Sequence, residues 1–234
     1  MLHKNNQLLY ERIIFDCDST LSTIEGIDYL AEIAGKGSEV ADLTSKAMNG
    51  EVKFEDVFAK RLDIIQPRKE QLQMVGQKYI ETVIPDAHNT IDVLQKNEVE
   101  VYIISGGYTQ AILPLAKFLG INEKNVFAVD LAFNEDGSYQ GFDSSNPLTK
   151  SGGKLEVAKQ IDNGKKTIFV GDSITDVEAS EAVDLFVGFG GVVERDVVKE
   201  KSDVYISNNS FAYILNVILG EKYQGLNKLG VLFS

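Results

Sequence analysis

The chain has 234 residues, enough to bury a sizeable core as one large domain or as a domain carrying an insertion. Its 44% apolar and 25% charged composition is that of a globular protein, and no apolar stretch approaches the roughly 20 residues that span a bilayer. With 23 basic against 35 acidic residues, the net charge of -12 repels phosphate backbones and anionic lipid, so neither nucleic acid nor a membrane is an expected partner. A small anion can still bind where a few cations and backbone N–H donors converge, and a divalent cation helps. The opening residues MLHKNNQLLYER hold no apolar run of secretory length, and a lone cysteine cannot close an internal disulfide, so the expected location is cytoplasmic. A monomer and a homodimer fit the sequence equally.

In chain order, the first β-branched run is Arg12 to Phe15, and the acidic stretch FDCDST (residues 15 to 20) follows its apolar core. From Ser22 to about Ala87 the texture changes to successive helical patterns (GIDYLAEIAG, SEVADLTSKAMNG, VKFEDVFAKRLDII, RKEQLQMVGQKYIETV) with no strand signal. A second strand, Glu100 to Ile104, leads into SGG (Ser105 to Gly107) and a helical stretch from Tyr108 to Leu119. Residues 131 to 143 alternate around Asp136-Gly137, which predicts a hairpin. A helix over Lys154 to Ile161, a strand at Thr167 to Val170 ending in GDSITD, and a strand at Asp184 to Val187 complete the pattern. The apolar stretch FAYILNVILG predicts a core-docking helix, and the final GVLFS has no assignable role. Strands alternating with helices predict an α/β fold, a doubly wound parallel sheet, with an inserted small helical cap. The catalytic core would be residues 1–21 and 88–234, with the hairpin at about 131–143, and the cap residues 22–87.

Ligands of open α/β sheets bind beyond the carboxyl ends of the strands, where FDCDST, SGG and GDSITD converge. Alternation along an extended chain would turn Asp16 and Asp18 to one cavity and Cys17 away. Two adjacent carboxylates repel unless a cation or a proton intervenes, and Mg2+ suits carboxylates combined with a phosphate ligand; Asp172 and Asp176 supply further oxygens. D-x-D is equally a common turn or cap pattern. Ser105 with the N–H groups of Gly106 and Gly107 could form an anion-binding nest at a helix start, or simply a tight turn. Lys154 in SGGKLE could add a charge or be a solvated helix-face lysine; Leu155 stands where a Walker A loop needs Ser or Thr, which excludes the usual NTPase reading.

The ordered set Asp-x-Asp-x-Thr, Ser-Gly-Gly, Lys and Gly-Asp-x-x-x-Asp resembles the haloacid dehalogenase superfamily phosphatases. EGIDYLAE, VKFEDVFAKRL, VYIISGGY, NVFAVDLAF, GFDSSNPLTKSGGK and GFGGVVERDVV extend the resemblance, over roughly residues 10 to 215, to the phosphoserine phosphatase family. The resemblance implies a Rossmann-like core and hydrolysis of O-phospho-L-serine, with Asp16 as nucleophile and Asp18 as general acid, then general base. It implies Mg2+ held by Asp16, the Asp18 carbonyl and Asp172 with Asp176 in support, and Ser105, Gly106, Gly107 and Lys154 around the phosphoryl oxygens. It places Glu25 at the substrate ammonium and Arg61 at its carboxylate, with Met48, Asn49, Thr175 and Arg195 contacting or framing the substrate.

Ser22-x-x-Glu25 also fits a helix capping box, and Arg61 could be an exposed cap-helix arginine. The chain departs from the family pattern at Ser173 and Asn49, where glycine is usual, which leaves open another small phosphomonoester as substrate. A non-catalytic phosphometabolite-binding protein on the same fold is the rival from another class. His3 and His88 do not supply a Ser-His-Asp triad, His88 is expected at an exposed helix start, and Cys17 is expected to be a small buried hydrophobe.

Overall fold

A computed structural model describes residues 8–220 of the chain. Eight strands are present among these residues: β1 Arg12–Phe15, β2 Glu100–Tyr108, β3 Val126–Val129, β4 Leu131–Phe133, β5 Tyr139–Phe142, β6 Thr167–Gly171, β7 Leu185–Phe189 and β8 Val204–Ile206. Six of them form a parallel sheet in the order β3-β2-β1-β6-β7-β8, and β4 and β5 form a separate antiparallel hairpin. The four strands expected from the sequence occupy the centre of the sheet. The two that were not, β3 and β8, are its edges, short and only partly buried, so their apolar runs carry a weak signal.

The central strand reads Arg-Ile-Ile-Phe and is buried along its whole length, with ladders to β2 on one side and β6 on the other. That is the continuous apolar pattern of a strand covered on both faces. It stops at Asp16, whose Oδ1 accepts the Cys17 N–H at 2.7 Å, and the chain turns through Cys17–Leu21 with Ser19 at φ 50°.

Between β1 and β2 lie α1 Gly26–Ile33, α2 Gly37–Met48, α3 Phe54–Ile65 and α4 Lys69–Glu81. The two crossings into this insertion are pinned side by side. Thr23 N–H donates to the Thr82 carbonyl and Ile84 N–H to the Leu21 carbonyl, at 2.9 and 3.0 Å. Arg68 and Lys69 at the start of α4 reach the hairpin, at the carbonyls of Asp136 and Gly137.

The remaining helices are α5 Ala87–Lys96, α6 Thr109–Phe118, α7 Gly153–Gln160, α8 Ile174–Ala179, α9 Asp196–Lys201 and α10 Ala212–Leu219. The expected core-docking helix is α10, which buries Ile214, Leu215 and Ile218, and Phe211 before it packs between the rings of Phe15 and Phe189 at 5.2 and 4.9 Å. Asp86 ties it down by accepting from Ser210 Oγ and the N–H groups of Phe211 and Ala212. The final GVLFS, like His3, lies outside the described residues. His88 is exposed in the first turn of α5, as expected. Among the described residues no helix is long and apolar enough to cross a membrane.

Candidate active site

The carboxyl ends of β1, β2 and β6 bring the three polar stretches together beneath the inserted helices. One pocket is lined by Asp16 and Asp18 after β1, Ser105, Gly106 and Gly107 from β2, Lys154 from α7 and Thr175 from α8. The insertion contributes Glu25, Ile27, Met48, Phe54 and Arg61 to the same pocket.

Asp16 and Asp18 face this pocket and Cys17 is fully buried away from it, but strand alternation is not the reason. The strand has already ended, and the turn after it, with Asp18 at ψ 136° and Ser19 left-handed, directs the side chains. Ser105–Gly107 likewise belong to the end of β2, and α6 starts only at Thr109, so SGG is a strand terminus instead of a helix start. The Gly107 N–H is already engaged by Ser105 Oγ at 3.0 Å.

Asp16, Asp172 and Asp176 each bring one oxygen to within 4.8 Å of the others, all three buried. Lys154 Nζ bridges Asp16 at 2.8 Å and Asp176 at 2.6 Å. The Arg195 guanidinium donates to the Asp172 carboxylate and, at 3.1 Å, to its carbonyl, while Thr20 Oγ1 donates to Asp172 Oδ1 at 2.9 Å. Counting Asp18 as the fourth carboxylate against Lys154 and Arg195, the cluster carries an excess of two negative charges. The consequence is visible in the proton affinities. Burial first, then Asp176 repulsion, pushes Asp16 up to about 8, against the opposing pull of Lys154. Burial raises Asp172 well above the usual carboxylate range despite Arg195. An all-oxygen donor set with two uncompensated negative charges fits a hard divalent cation.

Asp18 is held differently. Its Oδ1 accepts from the Tyr79 hydroxyl at 2.6 Å and from the Gly26 N–H at 2.5 Å, and burial, followed by the nearby Glu25, raises it to about 6. Its side chain is not one of the three that bring an oxygen within 4.8 Å of one another.

Two expectations fail. Ser22 and Glu25 form no capping box: Ser22 Oγ faces Thr82, α1 starts at Gly26 without a side-chain cap, and Glu25 accepts from Ser19 Oγ at 2.8 Å with Arg195 at 3.6 Å. Asn49 does not reach the pocket. It is the exposed C-cap of α2 with its amide on Glu51, because the helix presents Met48 inward and the following residue falls on the outer face. Arg195 is buried behind Asp172 and does not line the pocket. Ser173 caps α8, its hydroxyl donating to Asp176 at 2.7 Å and standing 2.9 Å from the hydroxyl of Thr175, and it does not itself line the pocket.

Arg61 is buried, not an exposed cap residue; Nη1 donates to Thr44 Oγ1 at 3.2 Å, and Nε has no hydrogen-bond partner among the described residues. Sequence reasoning missed Tyr79, Thr44 and Phe54. Thr20, by contrast, was within reach as the threonine of Asp-x-Asp-x-Thr.

A family model of haloacid dehalogenase-like hydrolases matches residues 10–184. Human phosphoserine phosphatase is 39% identical over 201 residues, spanning 85% of this chain and 89% of the relative. The chloroplastic phosphoserine phosphatase of Arabidopsis thaliana is 39% identical over 198 residues, 82% of this chain and 67% of the relative. Among solved structures, a phosphoserine phosphohydrolase-like protein of Francisella tularensis superposes with TM-score 0.81 at 30% identity, covering 89% of this chain and 99% of the other. A phospho-aspartyl intermediate analogue of phosphoserine phosphatase superposes with TM-score 0.76 at 29% identity, over 89% and 99%. The chain belongs to the haloacid dehalogenase-like hydrolase family, in its phosphoserine phosphatase branch.

Proposed function

We propose that this chain hydrolyses O-phospho-L-serine to serine and phosphate through an aspartyl-phosphate on Asp16, with Mg2+ as its cation and residues 22–87 as the cap over the site. The carrying observation is one pocket that combines two differently held carboxylates, Asp16 and Asp18, with Ser105, Lys154, Glu25 and Arg61. Relatives whose names state this activity support it, as does a structural neighbour described as a phospho-aspartyl intermediate analogue.

In the first step an Asp16 oxygen bonds to phosphorus as the bond from phosphorus to the serine oxygen breaks, and the proton on Asp18 passes to that departing oxygen. Lys154, Ser105 and the Gly106 backbone hold the equatorial phosphoryl oxygens, stabilising the charge that develops there. In the second step Asp18, now a carboxylate, takes a proton from a water whose oxygen attacks phosphorus; the acyl-phosphate bond breaks and Asp16 is restored. Asp16, the Asp18 carbonyl and Asp172 would hold the cation, with Asp176 steadied behind them by Lys154. When bound, the cation supplies positive charge that lets Asp16 ionise at neutral pH and offsets the phosphate dianion.

Glu25 meets the substrate ammonium, and the Arg61 guanidinium, with an unengaged Nε in a buried setting, meets the carboxylate. Met48 and Thr175 shape the pocket wall. Arg195 acts through Asp172 and Glu25, the groups it pairs with. Neither departure from glycine puts a side chain into the pocket lining, since Ser173 caps α8 behind Thr175 and Asn49 points to solvent.

The test is phosphate release by the purified protein with Mg2+ on phosphoserine, phosphothreonine and sugar phosphates. Phosphoserine should lead. Another ester ahead of it would overturn the substrate assignment, and binding without turnover would favour a phosphometabolite-binding role.

A further inference from the structure

Asp18 carries both proton transfers in the proposed reaction, yet its surroundings include a residue from the cap with no role so far. Tyr79 lies in the last turns of α4, fully buried, and its hydroxyl stands 2.6 Å from Asp18 Oδ1. The Gly26 N–H reaches the same oxygen from the start of α1. The three groups are fitted closely: a Cβ at position 26 would stand 1.9 Å from the Tyr79 hydroxyl, so only glycine permits this approach.

The other oxygen, Oδ2, turns to the pocket floor, where a Cβ on Gly107 would come within 2.9 Å of it. The two carboxylate oxygens of Asp18 are therefore not equivalent. Oδ1 already accepts two hydrogen bonds on the cap side. A neutral Asp18 carries its single proton on Oδ2, the oxygen beside Gly107 at the phosphoryl end of the pocket. Without the phenol, Oδ1 keeps one donor and the carboxyl can rotate, which splits the proton between a productive and an unproductive direction.

We propose that Tyr79 is a positioning residue for the reaction, fixing Asp18 so that its proton is delivered from Oδ2 to the departing ester oxygen. This deepens the reading of Asp18 as proton donor and rests on it. The tie also runs between the cap and the core, because Tyr79 belongs to the inserted helices and Asp18 to the turn after β1. Proton delivery is thereby linked to the cap being seated.

The experiment compares kcat/KM on two esters for the parent, Tyr79→Phe and Asp18→Asn. Phosphoserine releases a basic alkoxide that needs a proton, whereas p-nitrophenyl phosphate releases a phenolate that leaves without one. Because kcat/KM reports the steps up to formation of the aspartyl-phosphate, later hydrolysis does not blur the comparison. Tyr79→Phe removes one oxygen and keeps the ring, and a thermal melt checks that the fold is retained. On phosphoserine we expect a fall of about tenfold, part of the 10²- to 10⁴-fold that general acid catalysis contributes. On p-nitrophenyl phosphate the fall should be under about twofold, the span of a general acid that is not needed. Equal falls on both esters, or no fall on either, would overturn the positioning role. Asp18→Asn acts as the separate check, with the same ester preference in its losses and a larger magnitude. If Asp18→Asn loses both esters equally, the acid role of Asp18 falls and the proposal falls with it. If Asp18→Asn discriminates and Tyr79→Phe does not, only the role of Tyr79 is overturned.

Discussion

The ammonium of Lys154 sits between two buried carboxylates, 2.8 Å from Asp16 and 2.6 Å from Asp176. Burial lowers the proton affinity of this lysine, but the two aspartates outweigh it and hold the amine above its usual range. It compensates charge in the resting protein and, in the proposed reaction, meets the phosphoryl group.

Lys154→Met should therefore expose two separate losses. Without metal, the variant leaves Asp16 and Asp176 buried with no cation facing them, a kind of break that costs roughly 3–5 kcal/mol. Mg2+ should recover part of that stability by supplying charge, while phosphate release stays down by about 10²-fold or more, as when one stabilising donor is removed from the transition state. Denaturant melts with chelator and with Mg2+, beside turnover assays, separate the two. A stability loss indifferent to metal would contradict the shared-charge account.

The same cluster predicts how stability follows pH. Asp16 is raised in the folded protein from 3.8 to about 8, so the folded state holds a proton that the unfolded state gives up much earlier. Below the ordinary carboxylate range both states are protonated and there is no penalty. As pH rises through the interval between the two values the unfolded state is favoured progressively, and above the upper value the full penalty stands. Asp172 is shifted in the same direction, and Asp18 less so, to about 6. The melting temperature of the chelated protein should fall from about pH 5 to about pH 8, the window these shifts define. Saturating Mg2+ should flatten the slope, and Asp16→Asn should reduce it while abolishing turnover. A slope of opposite sign in chelator would refute the assignment of the shift.

Most of the central sheet and the acidic cluster were legible because they rest on local patterns. Arg-Ile-Ile-Phe running into Asp16, and Thr-Ile-Phe-Val running into Gly171-Asp172, announce buried strands ending in polar residues at one rim. The helices α1–α4 announce themselves by apolar spacing. What escaped depends on contacts distant in sequence. Tyr79 has the periodicity of an ordinary core aromatic, and only the fold brings its hydroxyl to a carboxylate 61 positions away. The capping-box signature at Ser22 and Glu25 was present but overridden, because the paired crossings at Ser22 and Val83 claim Ser22 for Thr82. Asn49 falls where the resembling family contacts or frames its substrate, and helix phase turns it outward.

Glu55 and Ser151 form the tie from α3 to the loop before Lys154. The Glu55 carboxylate accepts from the Ser151 N–H at 3.0 Å and from its hydroxyl at 2.7 Å, and these bonds, the backbone one first, lower it below the usual range. The contact is near the surface, so Glu55→Ala should leave the melting temperature almost unchanged. Its loss should reduce the fraction of molecules competent to bind, and KM for phosphoserine should rise by roughly two- to fivefold with kcat less affected. Steady-state kinetics decide this, and an unchanged KM would show that substrate binding does not depend on the Glu55–Ser151 contact.

Arg61 gives the sharpest test of substrate choice, because its environment is costly without a ligand. The guanidinium is 3% exposed, packed 5.4 Å from the Phe54 ring, with one weak hydrogen bond to Thr44 and Nε unpaired among the described residues. A buried cation so poorly partnered burdens the folded state, and replacing such a group with an apolar one of similar volume is often neutral or stabilising. Arg61→Met should thus raise the melting temperature of the ligand-free protein or leave it unchanged. Its activity should move the other way. A charged hydrogen-bond pair is worth about 1.5–3 kcal/mol, so kcat/KM for phosphoserine should fall by roughly 10- to 150-fold. A phosphate ester lacking a carboxylate should lose far less. A variant that is both destabilised and equally impaired on the two esters would show that Arg61 supports the cap and does not read the substrate carboxylate. Opposite movements of stability and phosphoserine use would mark a residue whose strain is relieved only by the substrate carboxylate.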